Sequence, residues 1–128
     1  MTSMVIIGAG PGGYEAANVA AAGGVDVTVV EETGIGGAAV LTDCVPSKTL
    51  IATAEVTAAL RRAPELGLRQ THKFEVDLDA VNSRVRRLAQ AQSDDIGRGL
   101  ERKGVRLVSG RARLAAGAPG HLHRVIIN

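Results

Sequence analysis

Six residues near the start constrain this chain more than anything else in it: Gly8-Ala9-Gly10-Pro11-Gly12-Gly13, a Gly-x-Gly-x-x-Gly pattern at Gly8, Gly10 and Gly13. The pattern alone is weak; its setting gives it meaning. The apolar run Met4-Val5-Ile6-Ile7 precedes it, as expected of a strand buried on both faces of a parallel sheet. Residues 14–22 follow it, Ala-rich and free of internal Gly or Pro, which favours helix. Gly23-Gly24 then stops the helix, and residues 25–30 resume a β-branched strand, completing a βαβ unit. In that unit Gly8 permits the tight turn, Gly10 lets a pyrophosphate approach the backbone, and Gly13 lets helix and strand pack closely. The helix N-terminus then faces a diphosphate. Glu31, 21 residues after Gly10 at the end of the second strand, is placed to accept hydrogen bonds from an adenosine ribose, and its charge repels a 2′-phosphate. The plain alternative is a Gly-rich turn with no ligand.

A second Gly-rich turn, residues 34–37, leads into a helix-compatible stretch over 38–62 that Pro46 interrupts. Proline inside a helix removes a donor and crowds the preceding turn, so the chain around 44–47 is expected to be distorted or to start a fresh helix. Cys44 lies there, four residues before Lys48. A helix start and a nearby cation both favour thiolate over thiol. A buried, inert cysteine is the equally open reading.

Residues 63–76 read as loop. From 79 to 103, Val81, Val85, Leu88, Ile96 and Leu100 recur at helical spacing, with Asp79 as N-cap and Gly104 as stop, and Arg84, Arg86 and Arg87 on a solvated face. Residues 105–108 form another short buried strand, and 111–114 and 123–127 form two more around the turn-rich stretch 116–120. Ending on Val125-Ile126-Ile127 suggests a truncated domain, because an unpaired terminal strand exposes an apolar edge. His121 and His123 share a strand face, but without a neighbouring carboxylate or thiol they point to no metal site, and His72 stands alone.

Composition excludes several function classes. With 128 residues, 45% of them hydrophobic, the chain suits one domain that buries roughly two-thirds of its unfolded surface. Tyr14 and Phe74 are its only aromatics, too few to stack single-stranded nucleic acid. A net charge of +2 is too small for a nucleic-acid or anionic-membrane footprint. No apolar stretch approaches the ~20 residues that span a bilayer and no signal peptide precedes the first strand, so a cytoplasmic location is expected. Cys44, the one cysteine, can form no internal disulfide.

The segment from Gly36-Gly37 through Cys44-Val45-Pro46-Ser47-Lys48 resembles the redox-active motif of the pyridine nucleotide-disulfide oxidoreductases, which reads Gly-Gly-Thr-Cys-x-x-x-x-Cys-x-Pro-Ser-Lys. The resemblance extends over essentially the whole chain. It implies a Rossmann-like FAD/NAD(P)-binding domain of α/β class, a parallel sheet with helices and a small β-meander, here as the N-terminal part of an FAD domain over residues 1–128. It further implies that Gly8, Gly10, Pro11, Gly13 and Glu31 take FAD pyrophosphate and ribose roles, with Gly36 and Gly37 beside them. By the same resemblance Arg111 and Ala112 meet adenine, Cys44 is the flavin-proximal cysteine, and Lys48 stands near the flavin N5 edge.

One departure redirects the chemistry. Where the family places its substrate-attacking cysteine this chain has Ala39, preceded by Ala38 in place of threonine. Dithiol exchange needs two sulfurs, so disulfide reduction is not expected, whereas hydride transfer through flavin needs neither. The wording around Cys44 is similar to an NAD(P)H-quinone reductase branch of the family, which implies electrons passing from NAD(P)H through FAD to a quinone-type acceptor. The NAD(P)H-binding and dimerisation domains that family members carry are not in this chain, so a homodimer is expected only of a full-length parent, and the 128 residues alone are expected to be inactive. Two alternatives stand beside this reading. One is a single-cysteine flavin peroxide or NADH oxidase, or a dihydrolipoamide dehydrogenase-class reductase. The other is a noncatalytic remnant that binds adenine nucleotide or a partner chain.

Overall fold

The computed structural model describes residues 2–69, 71–116 and 123–128. Its elements run β1 (Ser3–Ile7), α1 (Pro11–Ala22), β2 (Asp26–Glu31), α2 (Gly37–Leu41), α3 (Cys44–Arg62), a 3-10 turn (Ala63–Leu66), α4 (Leu78–Arg102), β3 (Arg106–Ser109), β4 (Ala112–Leu114) and β5 (Val125–Ile127). Strands β1, β2 and β3 form a parallel sheet in that order, with Val5 opposite Thr28 and Val29 opposite Leu107. Strands β4 and β5 form a separate antiparallel pair, Ala112 opposite Ile127, so the apolar run 125–127 is paired along one edge.

Alternation along the strands sorts the sheet into two faces. Val27 and Val29 of β2 point into a core shared with Ala17 of α1, Leu100 of α4, and Ala9 and Val105, while Ile6 and Leu107 pack against its border. Val5 and Ile7 of β1, on the opposite face, are nearly half exposed. The expectation of a first strand buried on both faces is therefore wrong. β1 lies at the edge of the sheet, and α1 and α4 cover only one side of it. The doubly buried strand is β2, whose Val27, Val29 and Val30 are at most 1% exposed.

Pro46 interrupts nothing. The chain breaks at Thr42 and Asp43, and α3 starts afresh at Cys44, which puts Pro46 in the first turn, where the missing amide would have had no helical acceptor. Of the two expectations for this stretch, a fresh helix is the one observed.

The long helix α4 begins two residues earlier than expected after its cap, and the cap is Asp77, not Asp79. Asp77 has extended backbone angles and its carboxylate accepts the Ala80 amide at 2.9 Å, whereas Asp79 lies within the first turn. The buried stripe of α4 also differs: it runs Ala89, Ser93, Gly97, Leu100, and Leu88 is 41% exposed. Small residues let this helix approach the sheet closely, so that a Cβ on Gly97 would lie 3.8 Å from the Leu107 side chain. Arg84, Arg86 and Arg87 face solvent, as expected.

Candidate functional site

The two Gly-rich turns meet at the carboxyl end of the parallel sheet. Gly8 follows β1 at φ +95°, a conformation that favours glycine, and its amide donates to the Val30 carbonyl at 2.8 Å, closing the end of β1 onto β2. Gly10 caps α1 and offers no side-chain cap. Pro11 has no amide to give, and the first helical bond runs from the Tyr14 amide to the Gly10 carbonyl at 3.0 Å. The amides of Gly12 and Gly13 consequently have no acceptor within the helix. No acidic residue occupies the first turn of α1, so its positive pole is open to an anion.

Steric demands separate the glycines. A Cβ on Gly10 or Gly12 would have nothing within 4 Å, whereas one on Gly13 would lie 1.9 Å from the Gly8 carbonyl oxygen. Open space over Gly10 and close backbone packing at Gly13 are what diphosphate approach and helix-strand contact respectively require. The second turn docks on the first: the Gly36 amide donates to the Ala9 carbonyl at 2.8 Å, and a Cβ on Gly37 would come within 3.0 Å of Gly10 Cα.

Glu31, the last residue of β2, ties both turns together. Its Oε2 accepts the Ala9 amide at 2.7 Å. Its Oε1 accepts the Thr33 amide and the Thr33 hydroxyl, each at 2.8 Å, and the Gly34 amide at 3.3 Å. Partial burial pushes the carboxyl's pKa up, but the bonds from Ala9, Thr33 and Gly34 outweigh it and hold it below the ordinary value of 4.5. The group is therefore a carboxylate at neutral pH.

Beside it lies a cleft of about 310 Å³ lined by Ile7, Gly8, Val30, Glu31, Glu32, Thr33, Gly110, Arg111 and Ala112. The Gly110 amide donates to the Glu31 carbonyl at 2.9 Å, which brings residues 110–112 against the end of β2. The Arg111 guanidinium lies 3.9 Å from Glu32, a solvent-exposed pair at the cleft rim. Of the sequence-predicted residues, Gly8, Glu31, Arg111 and Ala112 thus line one cleft, and Gly10, Pro11 and Gly13 form the adjoining turn and helix start. Gly36 and Gly37 pack on that turn from the other side.

Cys44 and Lys48 stand apart from the cleft, one turn apart on the first coils of α3. Cys44 is solvent-exposed, which removes the buried, inert reading, and Lys48 is exposed as well. Ala39 sits in the middle of α2, half-buried, so no second sulfur stands in the preceding helix.

Sequence reasoning missed Ala9, Thr33 and Gly34, the donors that hold Glu31. The signal was there in Glu31-Glu32-Thr33-Gly34: a strand-ending carboxylate followed two residues later by a hydroxyl and then glycine is the pattern of a side-chain-capped turn. Among the described residues no cluster of three metal-ligating side chains occurs. His123 is exposed, and His121 lies outside the described residues.

The model of the pyridine nucleotide-disulphide oxidoreductases matches residues 2–123. The chain belongs to this family. Among its relatives, the NAD(P)H dehydrogenase (quinone) of Mycobacterium tuberculosis is 48% identical over 124 residues, covering 94% of this chain and 25% of that protein. The dihydrolipoyl dehydrogenase of Chlamydia muridarum is 36% identical over 110 residues, covering 86% of this chain and 23% of that one. The crystal structure of LpdA from Mycobacterium tuberculosis superposes with a TM-score of 0.89 at 47% identity, covering 98% of this chain and 27% of that chain. The chain thus has the Rossmann-like α/β fold, and it spans about a quarter of the length of the relatives it matches. Among its described residues no helix is long and apolar enough to cross a membrane.

Proposed function

We propose that residues 1–128 form the N-terminal part of the FAD domain of a cytoplasmic, homodimeric oxidoreductase that passes electrons from NAD(P)H to a quinone-type acceptor and does not reduce disulfides. The observation that carries the nucleotide half of this reading is the shared cleft of Gly8, Glu31, Arg111 and Ala112 beside the open helix start at Gly10. Its dimensions and donors fit an adenosine diphosphate moiety: free amides at Gly12 and Gly13 for the diphosphate, a carboxylate for ribose hydroxyls, and backbone at residues 110–112 for the adenine. When bound, FAD supplies the capacity to accept a hydride and release electrons. The chain's own contribution is to hold the nucleotide end by backbone groups and to repel a 2′-phosphate through Glu31. Lys48 supplies a positive charge at the start of α3.

The quinone half rests on Ala39. A thiol-disulfide relay needs an attacking and a resolving sulfur, and this chain offers Cys44 alone. The similarity to a quinone dehydrogenase supports the same choice of acceptor. Exposed apolar side chains along α3 and beyond it, Leu50, Ile51, Val56, Leu66 and Leu78, support a further protein surface covering this flank.

The test is a comparison of acceptors in a longer protein that carries this segment. Purified with its flavin, it is expected to oxidise NAD(P)H with a quinone and to fail with lipoamide. Rapid lipoamide reduction would favour a dihydrolipoamide dehydrogenase-class reductase, and loss of quinone reduction in Cys44→Ser would transfer the chemistry to the thiol and favour a single-cysteine oxidase.

A further inference from the structure

The two oxygens of the Glu31 carboxylate are used unequally. Oε1 accepts three donors, the Thr33 amide, the Thr33 hydroxyl and the Gly34 amide, while Oε2 accepts one, the Ala9 amide. A carboxylate oxygen has two lone-pair directions, so Oε1 is saturated and Oε2 retains acceptor capacity. The Thr33 hydroxyl is the one side-chain donor in this set; the others are backbone amides fixed by the two turns. Thr33 also lines the cleft with Glu31, so its side chain stands where a bound ribose would be recognised.

We propose that Thr33 is a positioning residue for ribose recognition: by occupying Oε1 it fixes the rotation of the Glu31 carboxylate and leaves Oε2 as the acceptor for a ribose hydroxyl. The proposal rests on the nucleotide reading of the cleft. Without the hydroxyl, Oε1 keeps the Thr33 amide at 2.8 Å and the longer Gly34 bond at 3.3 Å, the carboxylate is held less tightly about its final torsion, and water competes for the vacated position. A ribose hydroxyl would then meet a less defined acceptor. Diphosphate contacts, made by amides at the start of α1, would be unaffected. Thr33 accordingly acts on the sugar and on no other part of the ligand.

That selectivity makes the test. In the 128-residue chain, ADP and 2′,3′-dideoxy-ADP are titrated while backbone amide resonances are followed, and the ratio of the two affinities is the readout. The wild-type chain is expected to prefer ADP. Thr33→Val, which keeps the side chain's shape and the backbone amide, is expected to weaken ADP about fivefold, the scale of one hydrogen bond, while leaving the dideoxy analogue unchanged. Thr33→Ser restores the preference. In the Glu31→Gln background the valine substitution has no further effect on the ratio, because the two residues act as one unit. An equal loss for both nucleotides in Thr33→Val would mean that the hydroxyl merely supports the fold, and an unchanged ratio would mean that it does nothing for the sugar; either overturns the proposal while the nucleotide site stands. A wild-type chain that does not distinguish the two nucleotides would overturn the ribose reading of Glu31 itself.

Discussion

The two ends of the candidate site are built on opposite principles. At the nucleotide end, four donors converge on Glu31, Gly13 and Gly36 have no room for a Cβ, and the turns are tied by the bond from Gly36 to Ala9. At the other, Cys44 and Lys48 project into solvent from a single helical turn. A site made of amides and glycines completes itself within one βαβ unit, because each contact is local or passes between adjacent strands. A thiol-disulfide relay, by contrast, needs a second sulfur brought beside the first. The comparison teaches that the proposed binding and redox functions are separable: the proposed nucleotide contacts lie within these residues, and the proposed redox chemistry depends on what they are placed against.

The largest expected effect breaks the nucleotide end outright. Gly13→Ala forces a Cβ to 1.9 Å from the Gly8 carbonyl, and is expected to destabilise the chain by about 3 kcal/mol. Its neighbour is the control. Gly12→Ala has open space in the helix and is expected to be neutral or to stabilise by about 0.5–1 kcal/mol. Denaturant unfolding of the two variants measures the difference, and equal effects would remove the close packing at Gly13 from the account.

Next in size is the removal of one charge. Glu31→Gln leaves donors facing a neutral amide and is expected to cost about 1 kcal/mol. Because the hydrogen bonds hold Glu31 below its ordinary value, its contribution is complete above the unfolded value near 4.5 and is lost as pH falls through the lower, folded one. Stability measured from pH 7 downwards should therefore fall less steeply in Glu31→Gln than in the wild type. Parallel curves would show that the carboxylate contributes nothing by being charged.

At the thiol end, Ala39→Cys sharpens the contrast by supplying the absent sulfur. Under mild oxidation the variant is expected to lose both free thiols in a titration, forming a bridge to Cys44 if the ends of α2 and α3 bring the Cα atoms within about 7 Å. Two persistent thiols would mean that the break at Thr42 and Asp43 holds the positions apart. The smallest effect belongs to Cys44→Ser, expected to leave stability within about 0.5 kcal/mol, as befits an exposed side chain.

How far these features could be read from the sequence depends on how local they are. The glycine turn, Glu31 at the end of β2 and the fresh start of α3 follow from short-range rules, and each is where spacing puts it. The choice between Asp77 and Asp79 as cap does not, because both precede the helical pattern, and only backbone angles at residue 77 decide it. Exposure of Val5 and Ile7 was equally hidden: a run of apolar residues reports a strand's preference for burial and not whether a neighbour covers it. The stripe of Ala89, Ser93 and Gly97 is not legible as a row of large apolar residues because close approach to the sheet selects small ones. Thr33 is legible only through Glu31, whose carboxylate its hydroxyl and amide bind.

The most direct test of the central claim is to map, amide by amide, where ADP binds to this chain. The account predicts that shifts concentrate at Ala9, Gly10, Gly12 and Gly13, at residues 31–34 and at residues 110–112, and leave residues 44–48 unmoved. Saturable binding that shifts the start of α3 while sparing the glycine turn and Glu31 would contradict it, as would no binding at millimolar nucleotide.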